Sequence, residues 1–212
     1  HSKTKVVYPA IRESFFDNYE KNRADYILKK YDLKYKKFIV SYGFIDPRKN
    51  ILRQVEAFQK IIATEKFKNF KYVLIGPQNI HSQKIMDKIF QSKLSKNICF
   101  LDYVSQFELE LIIKNSLGVS YCSLAEGFGL PIIEAMAAKV PVLTSNTTSM
   151  IEVSNNRAIL VEPTDVQMMA KGMINLIEKS QNKSIMIDNQ NYARSFNKLR
   201  FAKEITALLA DE

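Results

Sequence analysis

Seven residues separate Glu126 from Glu134, and Gly-Phe-Gly-Leu-Pro runs between them at 127–131. Upstream, Leu117 to Cys122 is a short, mostly apolar run, and downstream Ile132 to Ala138 is rich in helix formers. The stretch 123–139 therefore reads as a strand end, a glycine turn and a helix start. Pro131 suits a first helical turn, where a missing N–H costs nothing. Glycines at such a turn let backbone N–H groups converge on an anion, and the helix N-terminus adds partial positive charge. The spacing puts Glu126 on the loop and Glu134 in the first helical turn, where both carboxylates can accept hydrogen bonds from ligand hydroxyls. That pattern suits a sugar joined to phosphate. On spacing alone, helix capping and turn punctuation explain the same residues.

A second group with chemical character is Asp46-Pro-Arg-Lys-Asn50. The spacing places Arg48 and Lys49 at a helix N-terminus, which repels cations unless they share an anion with the free N–H groups. Phosphate would satisfy both, although two solvated side chains are the plainer reading.

The elements that must position these residues alternate along the chain. Lys5 to Pro9 is a short extended run. A helix is predicted from Arg23 to Tyr31, then a buried strand from Phe38 to Gly43. Asn50 caps a predicted helix to about Thr64, with Ile51, Val55, Phe58 and Ile62 on one face. A strand at 72–76, a basic helix at 82–93 and a strand at 98–101 follow. Ser105 and Glu108 form a capping-box pattern opening a helix to Asn115. After the glycine turn come a strand at 140–144, a short helix at 147–153, a strand at 158–161, and helices at about 165–179, 183–194 and 197–210. Such alternation predicts α/β architecture, with a parallel sheet, right-handed crossovers and flanking helices. Gly43, Gly76, Gly127 and Gly129 all follow predicted strand ends, the sheet edge at which ligands bind in open α/β folds.

Composition narrows the classes further. With 212 residues the chain can bury a core without disulfides, and no apolar run approaches a membrane span. No signal peptide is read at the start, and His1 in place of methionine suggests a cut within a longer chain. Cys99 and Cys122 each lie in an apolar run and read as reduced core residues of a cytosolic protein. With His1 and His81 they supply neither the number nor the spacing for zinc, so no metal site is predicted. The net charge of +9 implies attraction to polyanions. Lysines cluster at 29–37 and 60–71 and recur through 84–96 without the aromatic or zinc-finger patterns that address bases, which favours a solvated or membrane-facing surface over nucleic acid.

Asp46 to Asn50, Ser123 to Lys139, Ser145-Asn-Thr-Thr-Ser-Met-Ile-Glu152 and Leu160-Val-Glu-Pro-Thr-Asp165 together resemble the retaining GT-B glycosyltransferases of the bacterial group 1 family. The resemblance covers about Val6 to Leu209. It implies one half of a GT-B fold, the Rossmann-like donor-binding domain, at 15–195. Residues 1–14 are similar to the interdomain linker, and 196–212 to the helix that crosses back to a missing N-terminal acceptor domain. By the same resemblance Lys49 and Arg48 bind the diphosphate, Lys49 and Glu126 are catalytic, and Glu126 contacts the transferred sugar. Glu134 binds the ribose, and backbone around Gly127, Phe128, Gly129 and Leu130 holds sugar and phosphate. Asp102, Tyr103 and Val104 match the segment lining the base.

Two positions depart from the pattern: Phe44 stands where many members carry arginine, and Ile151 where the family has proline. The implied reaction moves a hexose from a nucleotide diphosphate sugar, with GDP-mannose weighed ahead of UDP-sugars, to a glycan or lipid-linked acceptor. The donor is a substrate, and no cofactor is implied. The implied setting is the cytoplasm, with contact at the inner face of the membrane. A non-catalytic nucleotide-sugar-binding homologue and a sugar-nucleotide epimerase are the alternatives.

Overall fold

A computed structural model describes residues 4–77, 80–91 and 95–210. Among these residues six parallel strands form one sheet: β1 Phe38–Tyr42, β2 Lys71–Ile75, β3 Ile98–Leu101, β4 Gly118–Tyr121, β5 Val142–Ser145 and β6 Ile159–Val161. Their order across the sheet is β3-β2-β1-β4-β5-β6, with every neighbouring pair parallel. The order reverses between β1 and β4. In a doubly wound sheet that reversal opens a crevice beyond the strands' C-terminal ends.

Nine helices are described: α1 Lys21–Lys30, α2 Ile51–Ile62, α3 Ile80–Phe90, α4 Gln106–Asn115, α5 Leu130–Ala137, α6 Ser149–Ser154, α7 Val166–Lys179, α8 Lys183–Ala193 and α9 Lys198–Ala210. Alternate strand residues feed two cores, because successive side chains point to opposite faces. Phe38, Val40, Tyr42, Val119 and Tyr121 pack with residues of α1, α4, α5 and α6. Ile39, Tyr72, Leu74 and Leu143 pack with α2, α3 and α7. Both faces of the sheet are covered, which is why β1 is buried at all five positions.

Most predicted elements appear within one or two residues of their expected ends, and three details differ. Cys99 is only half-buried, because β3 is an edge strand. Asn50 precedes α2 in a left-handed conformation without capping it; its side-chain amide donates instead to the carbonyls of Cys122 and Pro163 at 3.0 and 2.6 Å. Glu134 follows a first turn made of Leu130 to Ile133, one residue further into α5 than expected. Ser105 does form the predicted capping box with Glu108. The expected helix at 82–93 is α3, of which residues 92 and 93 lie outside the described set, as do 1–3 and 211–212 of the predicted terminal segments.

Candidate active site

The loops after β1 and β4 face each other across the strand-order reversal, and each supplies charge. Asp46 accepts a hydrogen bond from the Lys49 backbone N–H at 3.2 Å, tightening Pro47–Lys49 into a 3-10 turn. Arg48 and Lys49 therefore precede α2 rather than open it. Arg48 Nη1 donates to Glu126 Oε2 at 2.7 Å and to the Ala125 carbonyl at 3.1 Å, while Lys49 Nζ donates to Glu126 Oε1 at 2.8 Å. The chain's own carboxylate thus resolves the clash between two cations and a helix N-terminus.

Glu126 has a side chain only 7% exposed. Burial works against its charge, but hydrogen bonding from Lys49 and the ammonium's field prevail and hold the carboxyl below the usual range. The Glu126 carboxylate in turn raises Arg48 above its ordinary value. Lys49 makes a second contact: its ammonium donates to Tyr121 Oη at 2.7 Å and lies 4.5 Å from that ring's centroid. One ammonium is thereby fixed by a carboxylate, a phenol and a π face.

Glu134 occupies a different environment. Tyr42 Oη donates to its Oε2 at 2.7 Å. Burial pushes this carboxyl up from its ordinary value, with Tyr42 and the charge of Arg12 acting in the other direction. The two glutamates of the motif are thus driven oppositely, one toward a firmly held anion and the other toward easier protonation.

The glycine turn is braced from the loop after β5. Thr148 Oγ1 accepts from the Glu126 N–H at 3.2 Å, and Ser149 Oγ donates to the carbonyls of Glu126 and Phe128 at 2.9 and 3.0 Å. Thr148 has φ 50°, uncommon for a β-branched residue. Gly129 adopts φ 103°, where a side chain would be strained, and sets the entry into α5. Gly127 is exposed, with open space where a Cβ would be. Leu130 is 38% exposed. The Phe128 ring turns to Tyr8 and Phe196, at 5.6 and 6.0 Å between centroids, so its backbone alone belongs to the turn.

Beyond the ends of β2 and β3 a hollow of about 320 Å³ extends the crevice. Asp102, Tyr103 and Val104 line it with Gly76, Arg12 and Gln106. Val104 is buried and Tyr103 is 82% exposed. Gly76 has no substitute, since a Cβ there would sit 1.9 Å from the Gly43 carbonyl oxygen. The fold thus brings every predicted binding residue to one edge of the sheet.

Sequence reasoning missed the supports. Gln54, 1% exposed, donates from Nε2 to the Lys49 carbonyl at 2.7 Å, and its Oε1 accepts from Ser120 at 2.7 Å and Tyr72 at 3.0 Å. A buried glutamine on the apolar face of α2 was the available signal, because such a group needs partners. Tyr42 and Tyr121 read as strand aromatics and gave no other sign.

A family model described as "Glycosyl transferases group 1" matches residues 25–194. The chain belongs to the group 1 glycosyl transferases. O-antigen chain mannosyltransferase B of Escherichia coli is 29% identical over 152 residues, covering 72% of this chain and 40% of the relative. O-antigen chain mannosyltransferase RfbU of Salmonella typhimurium is 28% identical over 144 residues, 68% of this chain and 38% of that protein. Among solved structures, a glycosyltransferase from Rickettsia africae superposes with TM-score 0.86 at 21% identity, over 96% of this chain and 56% of its own. Anabaena HepE in complex with UDP gives TM-score 0.83 at 16% identity, over 98% and 57%. These neighbours have the GT-B fold. The group 1 chain spans about 40% of the curated relatives' length and a little over half that of the solved ones.

Proposed function

We propose that this group 1 chain is the donor-binding half of a retaining transferase. It moves a hexose from a nucleotide diphosphate sugar to a glycan or lipid-linked acceptor. The observation that carries the reading is the ammonium of Lys49, fixed between Glu126 and Tyr121 at the mouth of a crevice that runs on to Glu134. The diphosphate would lie against Lys49 and Arg48, the transferred sugar at Glu126, and the ribose hydroxyls at Glu134. The base would enter the hollow lined by Asp102, Tyr103 and Val104. As the anomeric C–O bond breaks, negative charge grows on the leaving phosphate. A cation already anchored to the fold stabilises that charge without reorganising. We rank GDP-mannose first as donor, a reading supported by mannosyltransferases among the relatives, and UDP-sugars next, supported by neighbours solved with UDP.

The acceptor would be held by a second, N-terminal domain, with residues 4–14 and α9 facing it. Those segments already meet, through the Arg200 to Tyr8 carbonyl bond at 3.0 Å, and the Ile11 N–H bonds the Phe196 carbonyl just before α9 at 2.9 Å. No residue of α9 is buried, and Leu199 and Leu209 are largely exposed. We place the enzyme in the cytoplasm at the inner face of the membrane, and expect this chain alone to bind donor without turning it over. Among the described residues no helix is long and apolar enough to cross a bilayer.

Calorimetric titration with GDP, UDP, ADP and their sugars tests the reading. One nucleotide should bind, and Lys49→Ala and Glu134→Ala should each weaken it. Binding unaffected by either substitution would remove the crevice from consideration. Product analysis with the two-domain enzyme decides retention.

A further inference from the structure

The lysine clusters at 29–37 and 60–71 are not used by the donor site, yet the fold brings parts of both to one place. The loops preceding β1 and β2 meet at the N-terminal edge of the sheet, opposite the crevice. Lys34, Lys37, Lys66 and Lys71 there line one hollow of about 480 Å³ with Asp32 and Asn69, over Phe38 and Phe70. Lys71 is paired with Asp32 at 2.6 Å. Among the described residues, Lys34, Lys37 and Lys66 have no carboxylate within ion-pair distance. The Lys37 ammonium instead lies 4.9 Å from the Phe70 ring centroid and that of Lys66 5.1 Å from Phe67.

The cationic field continues past the hollow. Lys68 is exposed beside it, and Lys96 is exposed in the turn before β3, which Asn97 ties to the carbonyls of Lys68 and Phe70 at 2.9 and 2.8 Å. Tyr35, 63% exposed, adjoins Lys34. Like charges gathered on one edge repel, and two carboxylates, Asp32 and Glu65, offset six lysines.

We propose that this edge is a seat for the phosphate headgroups of an anionic bilayer. A single phosphate group would engage one or two lysines. Here they span loops of three adjacent strands, roughly 10 Å across at the usual strand spacing, which matches a layer of headgroups. Aliphatic lysine stems over an apolar floor suit the interface of such a layer. The orientation leaves the donor crevice facing away from the bilayer and open to nucleotide. This gives a location to the membrane contact proposed above and rests on that reading.

The test is co-sedimentation of the chain with vesicles of phosphatidylcholine alone or mixed with phosphatidylglycerol. The parent should bind only the mixed vesicles, and less as salt rises. Each lysine near an anionic surface contributes about fivefold, so Lys34→Gln/Lys37→Gln/Lys66→Gln should bind about a hundredfold more weakly. The same charge removed at exposed positions elsewhere, Lys171→Gln/Lys183→Gln/Lys203→Gln, should change binding severalfold at most. Equal loss in both triple variants would overturn the proposal in favour of net charge alone. Capture of inorganic phosphate or of mixed-sequence DNA by the hollow, without vesicle binding, would also overturn it. Nucleotide titration of the same variants keeps the two readings separate: a triple variant that still binds donor but not vesicles supports this one, and loss of donor binding as well points to a damaged fold, in which case Lys66→Gln alone, expected to lose about fivefold, decides.

Discussion

The two edges of the sheet handle positive charge in opposite ways. At the C-terminal edge Arg48 and Lys49 are each tied to Glu126, and the Lys49 backbone is fixed by Asp46 and Gln54. At the N-terminal edge more lysines stand on loops, and Lys34, Lys37 and Lys66 touch rings or water. Chemistry on one phosphate needs a cation in a defined place, which costs partners. Attraction to an extended anionic surface needs number and sign, and loses little when a side chain moves. Net charge therefore says little about where the site lies.

The sharpest way to break that comparison is Lys49→Ala. If position matters at the C-terminal edge, removing this one cation should weaken nucleotide diphosphate binding by at least about thirtyfold, the usual cost of stripping one partner from a buried charged contact. Removing one exposed lysine from the other edge should leave it unchanged. A loss below threefold at Lys49, read by calorimetry, would show that both edges act through field alone.

Much of this was legible in the sequence because it is written in local patterns. Strand and helix alternation gave the sheet, and the capping box at Ser105 to Glu108 appeared as read. The glycine turn between Glu126 and Glu134 marked the crevice, since strand ends and glycines obey short-range rules. What stayed hidden depends on contacts far apart in the chain. Gln54 meets Ser120, and Asn50 meets Cys122 and Pro163. Asn50 is of a type that caps helices, and only tertiary partners show that it instead stitches three segments together. The separation of the lysine field from the donor site was equally unreadable, because it depends on which end of each strand a loop occupies.

Gln54→Leu sharpens the contrast from within the core. The substitution keeps volume and α2 packing but leaves the Ser120 and Tyr72 hydroxyls and the Lys49 carbonyl without their buried partner. A penalty of about 3 kcal/mol is expected, measured by urea unfolding, together with weaker donor binding. A comparable loss at the exposed Lys34→Gln is not expected. Next in size is Tyr121→Phe, which keeps the ring beneath Lys49 and removes the acceptor at 2.7 Å. Nucleotide affinity should fall about tenfold, near the worth of one hydrogen bond to a charged group, with stability nearly unchanged. Loss of stability without loss of affinity would make Tyr121 a packing residue only.

The smallest expected effect concerns a lysine of the N-terminal edge that is built into the fold through backbone carbonyls alone. Lys36 donates to the carbonyls of Lys114 and Ser116 at the end of α4, and burial brings its pKa down to about 8. Its folded value lies below its unfolded one, so between pH 8 and about 10 the unfolded chain binds more protons and stability should rise with pH. The side chain keeps some contact with water, and two carbonyls favour the charged form. The gain is therefore about 1 kcal/mol, less than the full shift would give. Urea unfolding at pH 7.5 and 9.5 should show it in the parent and not in Lys36→Met. A flat profile in both would mean that Lys36 is as freely solvated as Lys34 and Lys37, and would leave Lys71, paired with Asp32, as the positioned cation of this edge.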